Sequence, residues 1–240
     1  MEAIAGHYAH YDVVAYEDNS TKTPMRTLVI SYGFTDFYIQ DGKLYQKDRF
    51  FHAQYKINQK NVRSIFKDES VQAIKPRVQE VELSYRDGAW RIYRPPTPTL
   101  LGITGDPGLP LSRDPKDPNL IDPDGDGKPG VTVELIIANA LKGKIYITRR
   151  EIYSCHLTLA PDGRIYGWVE DASEQFTVGA NMGILRQPTN PVQVPDPGMN
   201  PLLLVPIDES VDTWEKLQTI ADAIFPAEPS FDGTVAARSR

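Results

Sequence analysis

The stretch YSCHLTLAPDGRIYGWVE, residues 153–170, decides the fold class. Before its Asp162-Gly163 pair, apolar or aromatic residues alternate with small polar ones, as they do in a strand that buries one face. An Asp-Gly pair tolerates the positive φ that a tight hairpin turn requires. The stretch therefore predicts an antiparallel hairpin. The faces of its first strand would carry Tyr153, Cys155, Leu157 and Leu159 on one side and Ser154, His156 and Thr158 on the other.

The same pattern recurs along the chain. Asp41-Gly42 and Asp87-Gly88 also lie between runs rich in β-branched and aromatic residues, and Lys142-Gly143 is a fourth predicted turn. We expect about ten strands in a mostly antiparallel sheet. Their approximate ranges are 7–17, 26–39, 43–56, 78–86, 89–94, 131–140, 144–159, 164–170, 174–179 and 202–207.

Helical periodicity is scarce in this sequence. Residues 212–225 place apolar side chains three and four apart and end before Pro226, which predicts one amphipathic helix packed on the sheet. A second helix is expected around residues 61–73. Residues 226–240 are mostly small or polar, so we expect a flexible tail there.

Prolines divide the strand-forming segments. Nine of the 20 prolines lie between residues 95 and 129 and six between 188 and 206, where the missing donor disfavours central strands. We expect a single β domain over residues 1–225 that includes a proline-rich arm at 95–130. The alternative is two units, residues 1–95 and 131–207, joined by that arm.

Composition excludes several classes of protein. The 240 residues are 40% hydrophobic and 24% charged, which is typical of a globular chain with a real core. The formal net charge of -6 argues against nucleic acid as a partner, because phosphate binding needs a surplus of Lys and Arg. No stretch approaches the length and apolarity of a transmembrane segment. The single cysteine, Cys155, permits no internal disulfide.

The segment DPDGDGKPG, residues 122–130, places Asp122, Asp124 and Asp126 at alternate positions, with glycine directly after the third. A tight loop of alternating aspartates can direct several oxygens inward, and Ca²⁺ prefers six to eight oxygen ligands. Carboxylates crowded in this way repel one another unless a cation offsets them. The spacing therefore predicts a calcium site.

This segment resembles the D-x-D-G-D-G loops of EF-hand-like and thrombospondin type 3-like calcium modules, over about a dozen residues. The resemblance implies that the three aspartates and the Lys128 carbonyl are ligands. The usual bidentate glutamate is missing, since Val133 occupies its position, so no helix-loop-helix is implied. We expect the remaining ligands to come from nearby carboxylates, namely Asp117, Asp114 or Glu134.

A calcium ion at this loop would have a structural role, because a proline-rich arm cannot order itself by burying apolar surface. A site without the bidentate glutamate would be weak, close to the range of extracellular modules. We therefore expect an extracytoplasmic protein, either secreted, periplasmic or surface-attached, whose signal was removed before Met1.

A second candidate site rests on aromatic residues. Alternation along residues 28–39 puts a carboxylate, Asp36, on the same face as several aromatic rings. In a closed barrel such a face can line a cavity with a polar anchor. The expected ligand-binding residues are Tyr32, Phe34, Asp36, Tyr38, Tyr93 and Trp168. The alternative is that these rings only cover the sheet surface.

The four histidines, His7, His10, His52 and His156, are expected to be ordinary surface or rim residues. His7 and His10 are three apart, so in a strand they point to opposite faces and cannot readily share an ion. The usual catalytic motifs for hydrolases, metalloproteases and nucleotide binding are absent from the sequence.

Together these patterns predict an all-β, mostly antiparallel barrel or sandwich with long proline-rich loops and one C-terminal helix. Strand count and hairpin order are similar to lipocalin-like barrels, an analogy at the level of fold only. We expect a non-enzymatic binding module for a small apolar or aromatic ligand or for a partner protein. The alternatives are a structural subunit that self-assembles through its proline-rich arms, and a hydrolase with an unrecognised active site.

Overall fold

The computed structural model describes residues 1–20, 24–72, 74–137, 141–186, 191–227 and 229–231. Within these ranges one large, mostly antiparallel sheet curls into a half-barrel, and one helix near the C-terminus packs on its outer side. The predicted fold class is therefore confirmed. Among the described residues no helix combines the length and the apolar character needed to cross a membrane.

The strands and helices follow the chain in this order. The first half contains β1 (Gly6–Asp18), β2 (Met25–Gln40), β3 (Lys43–Ile57), β4 (Val62–Phe66), α1 (Asp68–Gln72), β5 (Arg77–Glu80), β6 (Glu82–Arg86), β7 (Ala89–Arg94) and β8 (Thr99–Leu101). The second half contains β9 (Val131–Ile137), β10 (Leu141–Glu151), β11 (Tyr153–Leu159), β12 (Ile165–Asp171), β13 (Glu174–Ala180), β14 (Val192–Gln193), β15 (Pro201–Pro206) and α2 (Trp214–Ile224).

Strands that are distant in sequence become neighbours in the sheet. The hydrogen-bonded order is β13-β10-β9-β4-β3-β2-β1-β15-β12-β11-β7-β6, and β5, β8 and β14 pair with β3, β10 and β1 respectively. The sheet includes strands from both sides of the 95–130 arm. The two sides of the arm therefore share one sheet.

The three Asp-Gly pairs form the predicted hairpin turns. Asp41 and Asp87 adopt φ of 51° and 52°, and each is followed by a glycine that also has positive φ. The fourth predicted turn, at Lys142-Gly143, is wrong, because Gly143 lies inside β10 opposite Leu135. The connection between β9 and β10 falls on residues 138–140, outside the described residues.

A β-bulge in β3 changes which side chains face the interior. Tyr32 lies opposite His52, whereas the next residue, Gly33, lies opposite Phe50, so Phe51 is an extra residue in β3. Interior positions consequently shift from even to odd numbers along β3, and both Phe50 and Ala53 face inward. A side chain at Gly33 would place its Cβ 2.2 Å from the Arg49 carbonyl oxygen, so this close strand approach requires glycine.

Strand β1 separates two cores. Its even-numbered residues point into the curled sheet, and its odd-numbered residues point outward under α2. The inner core consists of Ile4, Tyr8, Val14, Phe37, Leu44, Val81, Ile92, Cys155, Leu157, Ile165, Val169, Leu202 and Leu204. The outer core consists of Ala9, Tyr11, Val13, Ala15, Leu28, Ile30, Phe34, Leu203, Val205 and Leu217. Because both faces of β1 are covered, this strand is buried almost continuously from Tyr8 to Ala15.

Helix α2 covers the outer face of β1, β2 and β15. The Thr213 side chain caps its first turn by accepting a hydrogen bond from the Lys216 amide, and the helix ends just before Pro226. Leu217 is completely buried in the outer core. The predicted helix at 212–225 is thus confirmed within two residues at its start.

The predicted helix at 61–73 is largely wrong. Residues Val62–Phe66 form β4, which pairs with β9, and only the five residues of α1 are helical. Two apolar residues of this segment, Phe66 and Val71, enter a side core that also contains Leu101, Val131, Val133 and Ile147. Pairing with β9, which is distant in sequence, overrides the short helical pattern.

Parts of the two proline-rich segments contact the chain's own strands. Ile103 and Leu111 are buried, and the Leu111 amide donates to Glu174. β14 pairs with the end of β1. In the predicted tail, Phe231 packs against the outer core, while residues 228 and 232–240 lie outside the described residues.

Candidate functional site

A cavity of about 110 Å³ lies inside the curled sheet, between the inner core and the side core. Its wall combines apolar side chains with an unusual number of charged and hydroxyl groups. The apolar part is formed by Val14, Val29, Phe50, Ala53, Phe66, Val71, Ile74, Val169 and Leu202. The polar part is formed by His10, Asp12, Tyr16, Ser31, Tyr55, Arg77, Arg149, Glu151, Tyr153, Asp171 and Ser173.

A buried chain of hydrogen bonds leads away from this wall. Asp12 Oδ2 lies 2.8 Å from His10 Nε2, and His10 Nδ1 lies 2.8 Å from Thr35 Oγ1. Thr35 Oγ1 in turn lies 2.8 Å from Asp48 Oδ1. β1 supplies the first two residues, β2 the third and β3 the fourth, so pairing of these three strands assembles the chain.

The chain ends on an ion pair that is completely removed from solvent. Arg94 Nε lies 3.2 Å from Asp48 Oδ2, and both side chains have no exposed surface. Gln46 donates to both oxygens of Asp48, and the Tyr153 hydroxyl donates to Oδ2 at 2.9 Å. The Arg94 guanidinium also lies 4.2 Å from the centre of the Tyr153 ring.

The environment of Asp48 keeps it ionised. Burial alone raises the pKa of this carboxyl, but the charges of Arg94 and His10 and the hydrogen bonds from Gln46 and Thr35 outweigh burial and lower the pKa below its usual value. The same burial raises the pKa of the Tyr153 hydroxyl, and Asp48 raises it further, so Tyr153 stays a neutral donor.

The ionisation of Asp48 fixes the direction of the hydrogen bonds. An ionised carboxylate only accepts, so the Thr35 hydroxyl donates to Asp48 and must accept from His10 Nδ1–H. Nδ1 of His10 is therefore protonated.

A second polar cluster lines the cavity near its more exposed side. Glu151 lies between two arginines, with an ion pair to Arg77 and an Oε1 to Nε distance of 3.4 Å to Arg149. Beside them Asp171 accepts hydrogen bonds from the hydroxyls of Tyr16 and Ser173. Burial, followed by the charge of Asp171, raises the pKa of Tyr16 well above its usual value.

The predicted calcium loop forms a compact acidic cluster at the end of the 95–130 arm. Carboxylate oxygens of Asp122, Asp124 and Asp126 all lie within 4.8 Å of one another. The turn is built by Gly125 and Gly127, with φ of 67° and 80°. These three carboxylates could hold a metal ion.

Hydrogen bonds attach this loop to the sheet. Asp124 Oδ2 accepts from the Thr132 amide at 2.8 Å and from the Ser70 hydroxyl at 3.3 Å, and Asp126 Oδ2 accepts from the Thr132 hydroxyl. The other oxygen of Asp124, Oδ1, is buried and has no hydrogen-bond partner within the described ranges. This oxygen is the strongest indication in the loop that a ligand is bound there.

Backbone amides also shape the cluster. The Asp126 and Gly127 amides donate to Asp122. Some desolvation raises the pKa of Asp122, but hydrogen bonds from the Gly127 and Asp126 amides outweigh it and lower the pKa below its usual value. Asp122 therefore stays ionised and suited to bind a cation.

The other predicted calcium ligands lie elsewhere. Asp117 accepts from the Asn119 amide in its own turn, and Glu134 lies 3.7 Å from Lys67 and 4.0 Å from Lys144. Lys128 contributes its amide as a donor to Asp126. Neither Asp117 nor Glu134 belongs to the three-carboxylate cluster, so further oxygen ligands would come from backbone carbonyls or water.

The predicted ligand-binding residues are distributed over three places, and none of them lines the cavity. Tyr32 and Phe34 lie on the outer face of β2 in contact with the outer core, and Asp36 accepts a hydrogen bond at 2.5 Å from His7. Tyr38 stacks on Tyr45. Separately, Tyr93 and Trp168 flank His156 on the outside of β7, β11 and β12, each with a ring-centre distance of 4.9 Å.

The predicted residues on β2 lie outside the cavity because of the orientation of this strand. Its opposite face, with Val29 and Ser31, points to the cavity, whereas α2 covers the face that carries Tyr32 and Phe34. Alternation identified residues that share a face, but it did not show which face is inside. The carboxylates that do line the cavity are those of Asp12, Glu151 and Asp171, and Asp171 is bonded to the hydroxyl of an aromatic residue, Tyr16.

Histidine placement differs in part from expectation. His7 and His10 do point to opposite faces, with His7 bonded to Asp36 outside and His10 bonded to Asp12 inside. His10 is only 1% exposed, so the prediction of a surface or rim residue is wrong for this histidine. Its partners on β2 and β3 offset the cost of burying it.

We predict that Asp48→Asn destabilises the protein by about 3–5 kcal/mol, because it leaves the buried Arg94 charge without its partner. The pKa of Asp48 is lower in the folded state, so its stabilising effect is complete above the usual aspartate pKa of about 4 and is lost as pH falls through the lowered value. Urea unfolding between pH 2.5 and pH 7 should therefore show a weaker acid dependence in the variant.

The matched control is Asp87→Asn, in an exposed turn 4.0 Å from Arg91, which should change stability by less than about 0.5 kcal/mol. Equal stability of Asp48→Asn and the wild-type chain at pH 7 would contradict the assignment of Asp48 as an ionised partner of Arg94.

Comparison with known proteins gives no independent assignment. No family model matches the chain, and neither the curated proteins nor the solved structures provide a match. The function of this chain is consequently inferred from the geometry of the cavity and of the acidic loop.

Proposed function

We propose that this chain is a non-enzymatic binding protein that holds a small ligand with an apolar body in the interior cavity. The observation that carries the proposal is the cavity itself, about 110 Å³ in volume and walled by aliphatic and aromatic side chains next to fixed polar groups. An engineered apolar cavity of about 150 Å³ binds benzene. A ligand with one ring, or a short branched chain, matches this size.

The polar wall supports binding rather than nucleophilic chemistry. The arrangement Asp12–His10–Thr35 has the order of a carboxylate, an imidazole and a hydroxyl, but the Thr35 hydroxyl is completely buried and donates its proton to Asp48. A nucleophile must reach the substrate and give its proton to the base. Thr35 does neither, and its hydroxyl instead fixes the orientation of His10.

The arms give less support to the alternative of self-assembly. Arg150 Nε donates to the Pro107 carbonyl at 2.7 Å and Leu111 is buried, so this part of the 95–130 arm is held by its own sheet. Leu109 and Ile121 of the same arm are exposed, so it is the attachment of Pro107 and Leu111 to the sheet that argues against self-assembly. We therefore retain ligand binding as the proposal.

We further propose that the acidic loop binds Ca²⁺ in a structural role. Three carboxylates face one another. Lys144 Nζ lies 3.8 Å from Asp126 but is also close to Glu134, and one ammonium group cannot neutralise three carboxylates. The buried, unpaired Oδ1 of Asp124 would gain a partner in the ion. Because the loop is bonded to Ser70 and Thr132, the ion would fix the arm to α1 and β9.

The ligand set also suggests the compartment. Three aspartates without a bidentate glutamate resemble a low-affinity site, in the range of about 10⁻⁴ to 10⁻³ M that is typical of extracellular modules. Such a site fills only where calcium is abundant. We propose an extracytoplasmic location on this basis.

The calcium proposal predicts one binding event by calorimetric titration with CaCl₂, with a dissociation constant of about 10⁻⁴ to 10⁻³ M. Asp124→Asn should remove this event, since it neutralises the carboxylate with the unpaired oxygen. Ca²⁺ should also raise the thermal midpoint of the wild-type chain but not of the variant. Asp106→Asn, which alters a carboxylate in the same arm that caps Gly108, serves as the control. Absence of heat at millimolar Ca²⁺, or unchanged heat in Asp124→Asn, would refute the site.

The cavity proposal predicts that toluene binds saturably, as seen by ligand-induced chemical-shift changes in NMR spectra. Ala53→Phe fills the cavity from β3 and should abolish binding, because Ala53 lies in the wall. Ala223→Phe, on the exposed face of α2, should leave toluene binding unchanged. Shift changes that are absent, or that persist in Ala53→Phe, would show that the cavity does not take apolar ligands.

A further inference from the structure

Two arginines on the cavity wall, Arg77 and Arg149, each have a buried Nε–H group without a hydrogen-bond acceptor among the described residues. The Arg77 side chain is only 4% exposed, and its Nε has no hydrogen-bond partner within the part of the chain that the structure describes. Nε of Arg149 is also buried, and although it lies 3.4 Å from Glu151 it makes no hydrogen bond in that part of the chain. A buried charged donor that lacks an acceptor is destabilising by more than a neutral one.

The carboxylates that face the cavity already have partners. Glu151 is shared by both arginines, and the charge of Asp171 also acts on Arg149. Asp171 accepts from the Tyr16 and Ser173 hydroxyls. On the opposite side Asp12 is bonded to His10. Within the described residues, the unmet requirement of the wall is therefore an acceptor for the Nε–H groups of Arg77 and Arg149.

We propose that the ligand of this cavity is a small monocarboxylic acid, bound as its anion. Its carboxylate accepts from Nε–H of Arg77 and from Nε–H of Arg149, and both hydrogen bonds are charge-assisted. Its apolar body lies against Phe50, Phe66 and Val71. This inference rests on the proposed function and names the class of ligand.

Other charge types fit the wall less well. An amine would place a third positive charge beside two guanidinium groups. A phosphate or dicarboxylate would bring a second negative charge close to Glu151 and Asp171, which line the same cavity. A single carboxylate on an apolar body of one ring satisfies both the donors and the volume of about 110 Å³.

The test compares probes of one shape and different charge, titrated into the full chain at pH 7 and followed by NMR and calorimetry. Benzoate, benzamide and benzylamine share a ring, and isobutyrate with isobutyramide provides a smaller pair. We expect each carboxylate to bind at least about tenfold more tightly than its amide, as charge-assisted hydrogen bonds are stronger than neutral ones. Benzylamine should not bind measurably.

Variants assign the preference to the two arginines. Arg149→Gln and Arg77→Gln should each remove the preference for carboxylate over amide while amide or toluene binding persists, which shows that the cavity is intact. Arg91→Gln, on an exposed side chain outside the cavity, should retain the preference. If either variant fails to fold, the comparison of carboxylate and amide binding to the wild-type chain still tests the carboxylate assignment.

The outcomes separate this inference from the proposed function. Equal or weaker binding of the carboxylates, with toluene or amide still bound, overturns the carboxylate assignment and leaves the binding function standing. Binding of benzylamine that is tighter than that of benzoate also overturns the carboxylate assignment. Failure of every probe, toluene included, overturns both proposals.

Discussion

The completely buried ion pair between Asp48 and Arg94 is the constraint on which the interior of this protein depends. Moving two charges out of water costs several kcal/mol for each ion, and their attraction offsets this only when hydrogen bonds satisfy the remaining polar atoms. Gln46, Thr35 and Tyr153 supply those bonds to Asp48. On the other ion, Nη1 of Arg94 donates to the Pro95 and Tyr153 carbonyls, whereas Nη2 has no hydrogen-bond partner among the described residues. The orientation of the Thr35 hydroxyl then determines which nitrogen of His10 is protonated. The ion pair therefore sets the donor-to-acceptor direction of the hydrogen bonds that lead to the cavity wall.

This network also explains why the interior contains a cavity. Polar side chains held in fixed hydrogen bonds cannot shift to fill space as aliphatic side chains do, so the inner core and the side core do not close on each other. The inner core buries apolar side chains inside the curled sheet, and on the other face α2 buries Leu217 against the outer core. A cavity with polar groups beside this inner core suits the proposed binding of a ligand. The acidic loop contributes by a separate route, because it fixes the long arm against β9.

Local signals in the sequence predicted local structure well. The Asp-Gly turns and the C-terminal helix depend on residues close in sequence, and so does the acidic loop, whose three carboxylates stand within five residues. Alternation grouped residues by face, but the choice of the inside face depends on where α2 packs, which no local pattern shows. The burial of His10 and Asp48 was missed because their partners lie on other strands, and Arg94 reaches Asp48 only after the sheet curls. The cavity is lined by strands from both halves of the chain. It could not be predicted from the sequence, because local patterns do not show which distant strands meet.

The most direct measurement of the central claim is the protonation of His10, observed through its ring nitrogens by ¹⁵N NMR at neutral pH. An ionised Asp48 that is bonded to the Thr35 hydroxyl requires a proton on His10 Nδ1. We therefore expect Nδ1 to show a directly bonded proton that exchanges slowly with solvent, since His10 is 1% exposed. An unprotonated Nδ1, with the proton on Nε2 alone, would mean that Thr35 donates to His10 rather than to Asp48, and would contradict the account of the buried ion pair as the origin of the network.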